Sequence, residues 1–207
     1  MSTARLADVT RLTRAESQAR TRDLLLRTAR ELFLRDGYLA TSLDKVAESA
    51  GFSKGAVYSN FRNKDELCLA VLDEIRAQRA AEITDLLRAP TSEERLHRFE
   101  AWAERMIGDP QWTTLEFEFA VQARRDPQLR RELADRIAAV GKVMASAVQT
   151  VADSDAARPA MASDEAAVAL LCLGVGLGLF RSIDPGMPVS ALVNTVRVLV
   201  GLPATGS

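Results

Sequence analysis

The stretch TSLDKVAESAGFSKGAVYSNFRNKDEL, residues 41–67, decides the fold that this sequence predicts. Its start has the spacing of a capping box, with Asp44 three residues after a Thr41 cap. A short apolar-periodic helix follows and Gly51 closes it, and Ser53 then caps a second short helix after a turn of only three residues. Two short helices joined by a tight turn containing Gly are the sequence form of a helix-turn-helix.

Helical periodicity extends to both sides of this motif. Residues 1–17 show no periodicity and are predicted to be a loose arm, whereas residues 18–35 place Leu25, Ala29 and Leu32 on one face. No alternating strand pattern of useful length occurs, so we predict an all-α fold of about nine helices. The predicted helices span 18–35, 43–50, 53–61, 63–87, 92–107, 111–124, 127–151, 163–181 and 188–201.

The charge distribution divides the 207-residue chain into a basic head and an acidic body. The net charge is −1, but residues 1–64 carry an excess of five positive charges and residues 65–207 an excess of six negative ones. A basic head on an acidic body indicates that the head meets a polyanion. We therefore predict an arm over 1–17, a helix-turn-helix DNA-binding domain over 18–64, and a larger ligand-binding and dimerisation domain over 65–207.

Cysteine and histidine usage predicts neither a disulfide framework nor a metal site. Cys68 and Cys172 both lie in apolar helical patterns and are expected to be buried, reduced thiols, and His97 is the only histidine. No cofactor is expected. The polar N-terminus does not resemble a signal peptide, and the longest uncharged apolar stretch, 166–180, is shorter than the ~20 residues of a membrane-spanning helix. These features predict a cytoplasmic protein without a membrane partner.

The second helix of the motif has an outer face suited to DNA. Val57 and Phe61, four residues apart, are expected to point into the core. Small residues on an outer face favour close approach to another surface, such as a major groove, and Lys54 and Tyr58 can donate to phosphates or to a guanine edge. The residues left on this outer face are Lys54, Gly55, Ala56, Tyr58 and Asn60.

Lys64 supports the same prediction independently. It lies in the first turn of the next predicted helix, capped by Asn63, where the helix dipole disfavours a cation by a few tenths of a kcal/mol. A DNA phosphate would be attracted both to this ammonium and to the free backbone amides around it. The alternative is an exposed lysine without a partner.

Taken together, residues 41–67, with Glu31-Leu32-Phe33 and Gly37-Tyr38 before them, resemble the DNA-binding signature of TetR-type regulators. The resemblance covers about 50 residues. It implies a homodimer, a recognition helix that begins at Ser53, and a variable effector domain from about residue 65. Many members of the family have His where this chain has Asn60, so the kind of contact made there is open. The phosphate contacts that the resemblance implies are Thr41 or Ser42, Tyr58 and Lys64.

The last two predicted helices are candidates for the dimer interface. Gly174 and Gly178 lie four residues apart and permit close helix–helix approach, and the last helix carries an apolar stripe of Leu192, Val196 and Leu199. The resemblance places dimerisation on these helices. Packing within one chain is the alternative.

Bulky side chains in the middle helices are either plain core or the lining of an effector site. The resemblance places the effector cavity here, and a mostly apolar small-molecule effector would suit such a lining. The candidate lining residues are Trp102, Met106, Trp112 and Phe117, with Glu116, Glu118 or Arg124 as polar anchors.

The sequence offers no arrangement for catalysis. His97 lies in a charged helical segment, and Glu100 and Glu104, one turn apart, are placed to pair with arginines. We therefore expect a ligand-responsive transcriptional regulator, by default a repressor, that binds a palindromic operator in double-stranded DNA as a homodimer and is released by its effector. The alternative is a helical small-molecule-binding protein that has lost operator binding.

Overall fold

The computed structural model describes residues 13–154 and 160–202. Within these residues every regular element is a helix, as predicted. The nine helices are α1 Arg14–Asp36, α2 Leu43–Ala50, α3 Lys54–Tyr58, α4 Lys64–Leu86, α5 Ser92–Met106, α6 Pro110–Ala123, α7 Pro127–Ser154, α8 Ser163–Ile183 and α9 Ser190–Leu199.

Helix α1 begins earlier than its apolar periodicity predicted. Thr13 and Glu16 form a capping box, in which the Thr13 hydroxyl accepts from the Glu16 amide and the Glu16 carboxylate accepts from the Thr13 amide. This polar signal adds about one turn that carries no buried side chain, so the prediction of a loose arm over 1–17 is wrong for residues 14–17. Residues 1–12 lie outside the described part of the chain.

The N-terminal cap of α2 is Ser42 and not Thr41. The Ser42 hydroxyl accepts from the Lys45 amide, whereas the buried Thr41 hydroxyl donates to the Gly37 carbonyl at 2.9 Å. Thr41 therefore ties the end of α1 to the start of α2. Gly51 ends α2 in the left-handed conformation (φ 72°), which opens the tight turn into α3.

Helix α3 has its predicted Ser53 cap but ends at Tyr58, three residues before the predicted end. The side chains of Ser59 and Asn60 both donate to the Ala56 carbonyl, at 2.9 and 2.8 Å. These side-chain hydrogen bonds compete with a further helical turn.

The head does not have a core of its own. One continuous buried cluster joins the helix-turn-helix to the body, so the proposed boundary at residue 64 passes through shared packing. Phe119 of α6 shows this: its ring packs edge-on against Tyr38, with ring centroids 5.4 Å apart. The body contributes Leu67, Val71, Trp112, Leu115, Phe119, Ala123, Leu129 and Leu133 to this cluster.

A second cluster holds α5, α8 and α9 together at the far end of the body. Arg181 of α8 is buried within it, donating to the carbonyls of Ile107 and Met187 and pairing with Glu104 at 2.8 Å. This arginine therefore connects α8 to the residue that follows α5 and to the loop between α8 and α9.

Helix α8 is long and apolar enough to cross a membrane by length and mean hydropathy. The apolar segment is therefore longer than the uncharged stretch of 166–180 on which the prediction was based. In the structure α8 packs against α6, α7 and α9, and only 28% of its apolar window is buried. The rest of that apolar surface requires a partner, which is considered with the dimer residues below.

Candidate DNA-binding site

Helix α3 presents an outer face with little side-chain bulk. Val57 is fully buried and anchors the helix to the core, while Tyr58 is 55% exposed and Lys54 also points outward. A side chain added at Gly55 would meet only the hydroxyl of Ser53, at 3.8 Å. This face can therefore approach a flat or grooved surface closely, as predicted for a recognition helix.

The start of α2, the end of α3 and the start of α4 enclose a shallow open concavity of about 360 Å³. It brings together the predicted phosphate ligands from three separate segments. Its lining consists of Thr41, Ser42, Leu43, Asp44, Tyr58, Arg62, Asn63 and Lys64. The hydroxyls of Ser42 and Tyr58, the amide of Asn63 and the ammonium of Lys64 are four donors around one depression, and such donors suit a phosphate group.

Lys64 is held at this depression by Tyr38. Its ammonium donates to the Tyr38 carbonyl at 3.0 Å and lies 4.0 Å from the centre of the Tyr38 ring. The Tyr38 hydroxyl in turn donates to Asp65, and burial, with help from that carboxylate, raises the pKa of Tyr38. The cation at the start of α4 is thus pre-positioned by a buried aromatic ring.

Lys54 has an intrachain partner in the absence of DNA. Its ammonium lies 2.5 Å from the Asp44 carboxylate, and this hydrogen bond raises the pKa of Lys54. Both side chains are well exposed, so the ion pair can exchange for a phosphate at little cost. Lys54 remains a candidate DNA ligand, with Asp44 as its competitor.

Two predicted DNA ligands are turned away from the surface. Thr41 is 2% exposed and its hydroxyl serves α1, which leaves Ser42 as the exposed hydroxyl at this point. The Asn60 amide donates to the Ala56 carbonyl, and the Asn60 carbonyl accepts from Arg22 at 2.6 Å. The Thr41 hydroxyl and the Asn60 amide are therefore both occupied within the chain, and their contacts with DNA stay predictions.

The four predicted effector residues do not form one cluster. Trp102 and Met106 pack in the second core with α8 and α9, Trp112 belongs to the core shared with the head, and Phe117 is half-buried on α6. The two tryptophans nevertheless meet neighbouring turns of α4. Trp102 donates to Glu82 at 2.9 Å, and the Arg79 guanidinium lies 4.3 Å from the centre of the Trp112 ring.

Two arginines of α4 are the polar feature that the sequence did not reveal. Arg79 makes no side-chain hydrogen bond or ion pair within the described residues, its Nε is buried, and desolvation lowers its pKa. Arg76 donates to Glu116 at 3.3 Å but leaves its Nη1 buried without a partner. Nothing in the sequence distinguishes these two positions from a solvated helix face.

Two of the three predicted polar anchors have other partners. Glu116 pairs with Arg76, and Glu118 accepts from the backbone amide of Leu39 at 3.1 Å. Arg124 is exposed at the end of α6. Glu118 therefore connects α6 to the loop between α1 and α2, next to Tyr38 and hence to Lys64.

The predicted dimer residues are mostly occupied within the chain. Leu192 and Leu199 are 4% and 6% exposed and, with Val196, pack in the second core, so these three side chains have little surface left for a partner. A side chain at Gly178 would lie 3.8 Å from the Gly108 amide of the same chain, whereas Gly174 faces open space. Leu192 and Leu199 of α9 thus pack within the chain, Val196 is partly buried and Gly174 is open, and the interface on these helices stays a prediction.

A different stripe is uncovered on α8. Val168, Cys172, Val175 and Ile183 are exposed at intervals of one and two helical turns, and Val198 of α9 is 61% exposed beside them. Cys172 was predicted to be buried and is exposed on this stripe, whereas Cys68 is buried as predicted. Apolar residues at such spacing on one face are typical of a helix–helix seam.

The segment that contains the helix-turn-helix matches a known protein family. Residues 25–71 match the family described as bacterial regulatory proteins, tetR family. The HTH-type transcriptional repressor AcnR of Corynebacterium efficiens is 26% identical over 117 residues, which cover 55% of this chain and 56% of AcnR. The chain therefore matches little more than half the length of this relative.

Solved structures show that the similarity of fold extends over most of the chain. The reduced form of E. coli NemR superimposes with a TM-score of 0.69 at 20% identity, covering 89% of this chain and all of NemR. The SmeT–triclosan complex gives a TM-score of 0.66 at 17% identity, covering 90% of this chain and 96% of SmeT. Residues 25–71, which contain the helix-turn-helix, are thus similar to the tetR family of bacterial regulatory proteins, and the all-helical fold is that of NemR and SmeT.

Proposed function

We propose that this chain is a ligand-responsive transcriptional regulator of the cytoplasm that binds a palindromic operator as a homodimer. The observation that carries the proposal is the exposed face of α3, which has little side-chain bulk. It lies beside the depression lined by Ser42, Tyr58 and Lys64. Small residues let the helix enter a major groove, and the surrounding donors suit the phosphates on either side.

The dimer is supported by the uncovered apolar stripe of α8. Val168, Val175 and Ile183 are 59%, 44% and 75% exposed. Association of two chains through α8 and the outer face of α9 would bury these side chains. A symmetric dimer would place two α3 helices about 34–36 Å apart, one turn of DNA. A palindromic operator follows from that symmetry.

The effector is proposed to bind between α4, α5 and α6, where Trp102 and Trp112 flank adjacent turns of α4. Met106 of α5 and Phe117 of α6 are further proposed contacts. Arg76 and Arg79 supply unpaired N–H donors there, and an unpaired buried donor costs free energy that a ligand can recover. We therefore propose an apolar effector that carries at least one acceptor group. SmeT was crystallised with triclosan, and this precedent supports a small-molecule site in the same fold.

Helix α6 is the proposed connection between effector and operator. It begins at the Arg79–Trp112 contact and ends beside the head, where Glu118 accepts from Leu39. An effector that moved α6 or α4 would displace Tyr38 and the Lys64 ammonium resting on it. The separation of the two recognition helices would change with α4, which favours release from DNA. Release by effector, and hence repression, is the proposed direction.

The proposal is tested by placing a carboxylate on the outer face of α3. Gly55→Glu puts a negative charge on the proposed DNA-binding face at a position with open space, and we expect loss of saturable DNA binding. Ala101→Glu is the matched control, since Ala101 is exposed on α5, away from the head. Equal DNA affinity of the two variants in a fluorescence anisotropy titration would contradict the proposal.

The alternative function is a helical small-molecule-binding protein without an operator. It would be favoured if the folded, dimeric chain bound no duplex at low salt while ligands still quenched its two tryptophans. The intact set of Lys54, Tyr58 and Lys64 favours the regulator.

A further inference from the structure

Four arginines lie close together at the junction of α6 and α7, on a body that is otherwise acidic. Residues 124–131 read RRDPQLRR, and Arg124, Arg125, Arg130 and Arg131 are all exposed. None of the four makes an ion pair or a side-chain hydrogen bond within residues 13–154 and 160–202. The single acid among them, Asp126, caps α7 by accepting from the amides of Gln128 and Leu129.

Five other arginines of the body behave differently. Arg76, Arg98, Arg136, Arg181 and Arg197 all pair with carboxylates of the same chain. A chain with an excess of acids in its body has carboxylates available, yet it leaves this cluster uncompensated. Arg130 also lies in the first turn of α7, where the helix dipole disfavours a cation. The cluster is therefore arranged to meet an external anion.

The direction of α6 places the cluster at the DNA-proximal end of the body. Later residues of α6 contact earlier residues of α4: Trp112 contacts Arg79, and Glu116 pairs with Arg76. Further along α6, the Phe119 ring meets Tyr38, whose hydroxyl binds Asp65 at the start of α4. Helix α6 therefore runs antiparallel to α4, and its last residues approach the start of α4.

Helix α7 runs along α4 in the direction opposite to that of α6. Arg136 pairs with Asp73 at 2.9 Å, one turn after Glu132. Earlier in α7, Leu129 and Leu133 lie in the same buried cluster as Leu67 at the start of α4. Residues 124–131 precede Glu132 and lie farther toward that end.

We propose that Arg124, Arg125, Arg130 and Arg131 form a second contact with DNA, in which the body of the protein binds backbone phosphates next to those held by the helix-turn-helix. The proposal rests on the proposed function as an operator-binding protein. The cluster lies at the end of the body that packs near the start of α4, where Lys64 lines the depression, and its charge is complementary to the duplex. Phosphate contacts carry no base readout, so the cluster adds affinity and salt dependence and leaves the operator sequence unchanged.

The test compares two double variants that each remove two positive charges. Arg130→Ala with Arg131→Ala removes half of the cluster with a residue that favours helix. Arg105→Ala with Lys142→Ala is the control, because both side chains are exposed on α5 and α7 outside the cluster. The affinity of each for the operator recovered by selection from random duplexes is measured between 50 and 300 mM KCl, with the helical circular dichroism signal confirming folding.

We expect the cluster variant to bind at least about tenfold more weakly at 100 mM salt, with a salt slope shallower by up to about 1.8 per subunit, while the control retains the wild-type slope. Equal slopes for wild type and cluster variant, with the wild type binding its operator, would overturn this inference and leave the proposed function intact. Failure of the wild type itself would instead overturn the proposed function. Loss of binding to phosphatidylglycerol vesicles in the cluster variant, with unchanged operator affinity, would assign the cluster to a lipid surface and also overturn the inference.

Discussion

The two tyrosines of this chain allow stability and DNA binding to be separated by the same chemical change. Tyr38 is 3% exposed and its hydroxyl donates to Asp65, while Tyr58 is 55% exposed with no side-chain hydrogen bond among the described residues. Tyr38→Phe removes the buried hydrogen bond but keeps the ring that packs against Phe119 and supports Lys64. Tyr58→Phe removes only a donor at the proposed DNA surface.

The expected magnitude for Tyr38→Phe follows from this geometry. A hydrogen bond to a charged group contributes about 1.5–3 kcal/mol. Asp65 is partly exposed and can bind water once the hydroxyl is gone, so the lower end applies, about 1.5 kcal/mol. With a urea dependence of about 2–3 kcal/mol per molar for a chain of this size, the unfolding midpoint should fall by roughly 0.5–0.8 M. Operator affinity should stay within about twofold of the wild type, because both contacts of Lys64 remain.

The matched variant should show the opposite pattern. Tyr58→Phe should leave the urea midpoint unchanged and weaken operator binding roughly 2- to 10-fold per subunit, the effect of one phosphate hydrogen bond. Urea unfolding followed by circular dichroism, at one protein concentration, and anisotropy titrations measure both quantities. Loss of stability in Tyr58→Phe, or loss of DNA affinity in Tyr38→Phe at full stability, would refute this assignment of the two residues.

The raised pKa of Tyr38 gives the pH dependence of the same contribution. Because the folded state holds the phenolic proton more tightly than the unfolded state, the stabilisation is fully present below the ordinary tyrosine pKa of about 10. It is lost progressively as the pH rises above that value. The difference in stability between wild type and Tyr38→Phe should therefore be constant from neutral pH to about pH 9 and shrink at higher pH.

Three further predictions concern other parts of the structure. Asp44→Asn should increase operator affinity, because it frees Lys54 from its ion pair and removes a carboxylate from the phosphate-binding depression; unchanged or weaker binding in anisotropy titrations would contradict this. Arg79→Met should leave the unfolding free energy unchanged or raise it by about 1 kcal/mol, since it removes a desolvated cation without a hydrogen-bond partner; a clear loss of stability in urea would show that Arg79 is satisfied. Val175→Glu should shift the chain toward monomer in sedimentation velocity, whereas Val121→Glu, at a similarly exposed valine of α6, should not.

The features that sequence reasoning predicted well are those encoded locally. The caps at Ser53 and Asn63, the glycine that closes α2, and the apolar face of α1 each depend on residues within one or two turns. Local signals failed where two neighbours offered the same chemistry. Thr41 and Ser42 are both good caps, and only the proximity of the α1 carbonyls decides that Thr41 turns inward.

The dimer surface shows why periodicity alone is insufficient. Both α8 and α9 are apolar on more than one face, and a stripe in the sequence does not specify what covers it. Leu192 and Leu199 were assigned to a partner chain, but α5 and α8 of the same chain cover them. The exposed stripe on α8, with Val168 and Val175, becomes visible only once the intrachain packing is known.

The polar features of the body depend on tertiary packing. Arg79 reads as an ordinary surface residue of a helix, and it is buried because α6 brings Trp112 against it. The cluster at 124–131 is visible in the sequence as a run of arginines, yet its position relative to the head follows only from the directions of α6 and α7.

The central claim, that this chain is a sequence-specific DNA-binding dimer, is tested most directly by selection from a pool of random duplexes with the purified protein at near-physiological salt. The account predicts enrichment of a palindrome whose half-sites are centred about one helical turn apart, and loss of that enrichment in Gly55→Glu. Enrichment of no sequence by protein shown to be folded and dimeric would contradict the claim and make the α4–α6 region the seat of its function.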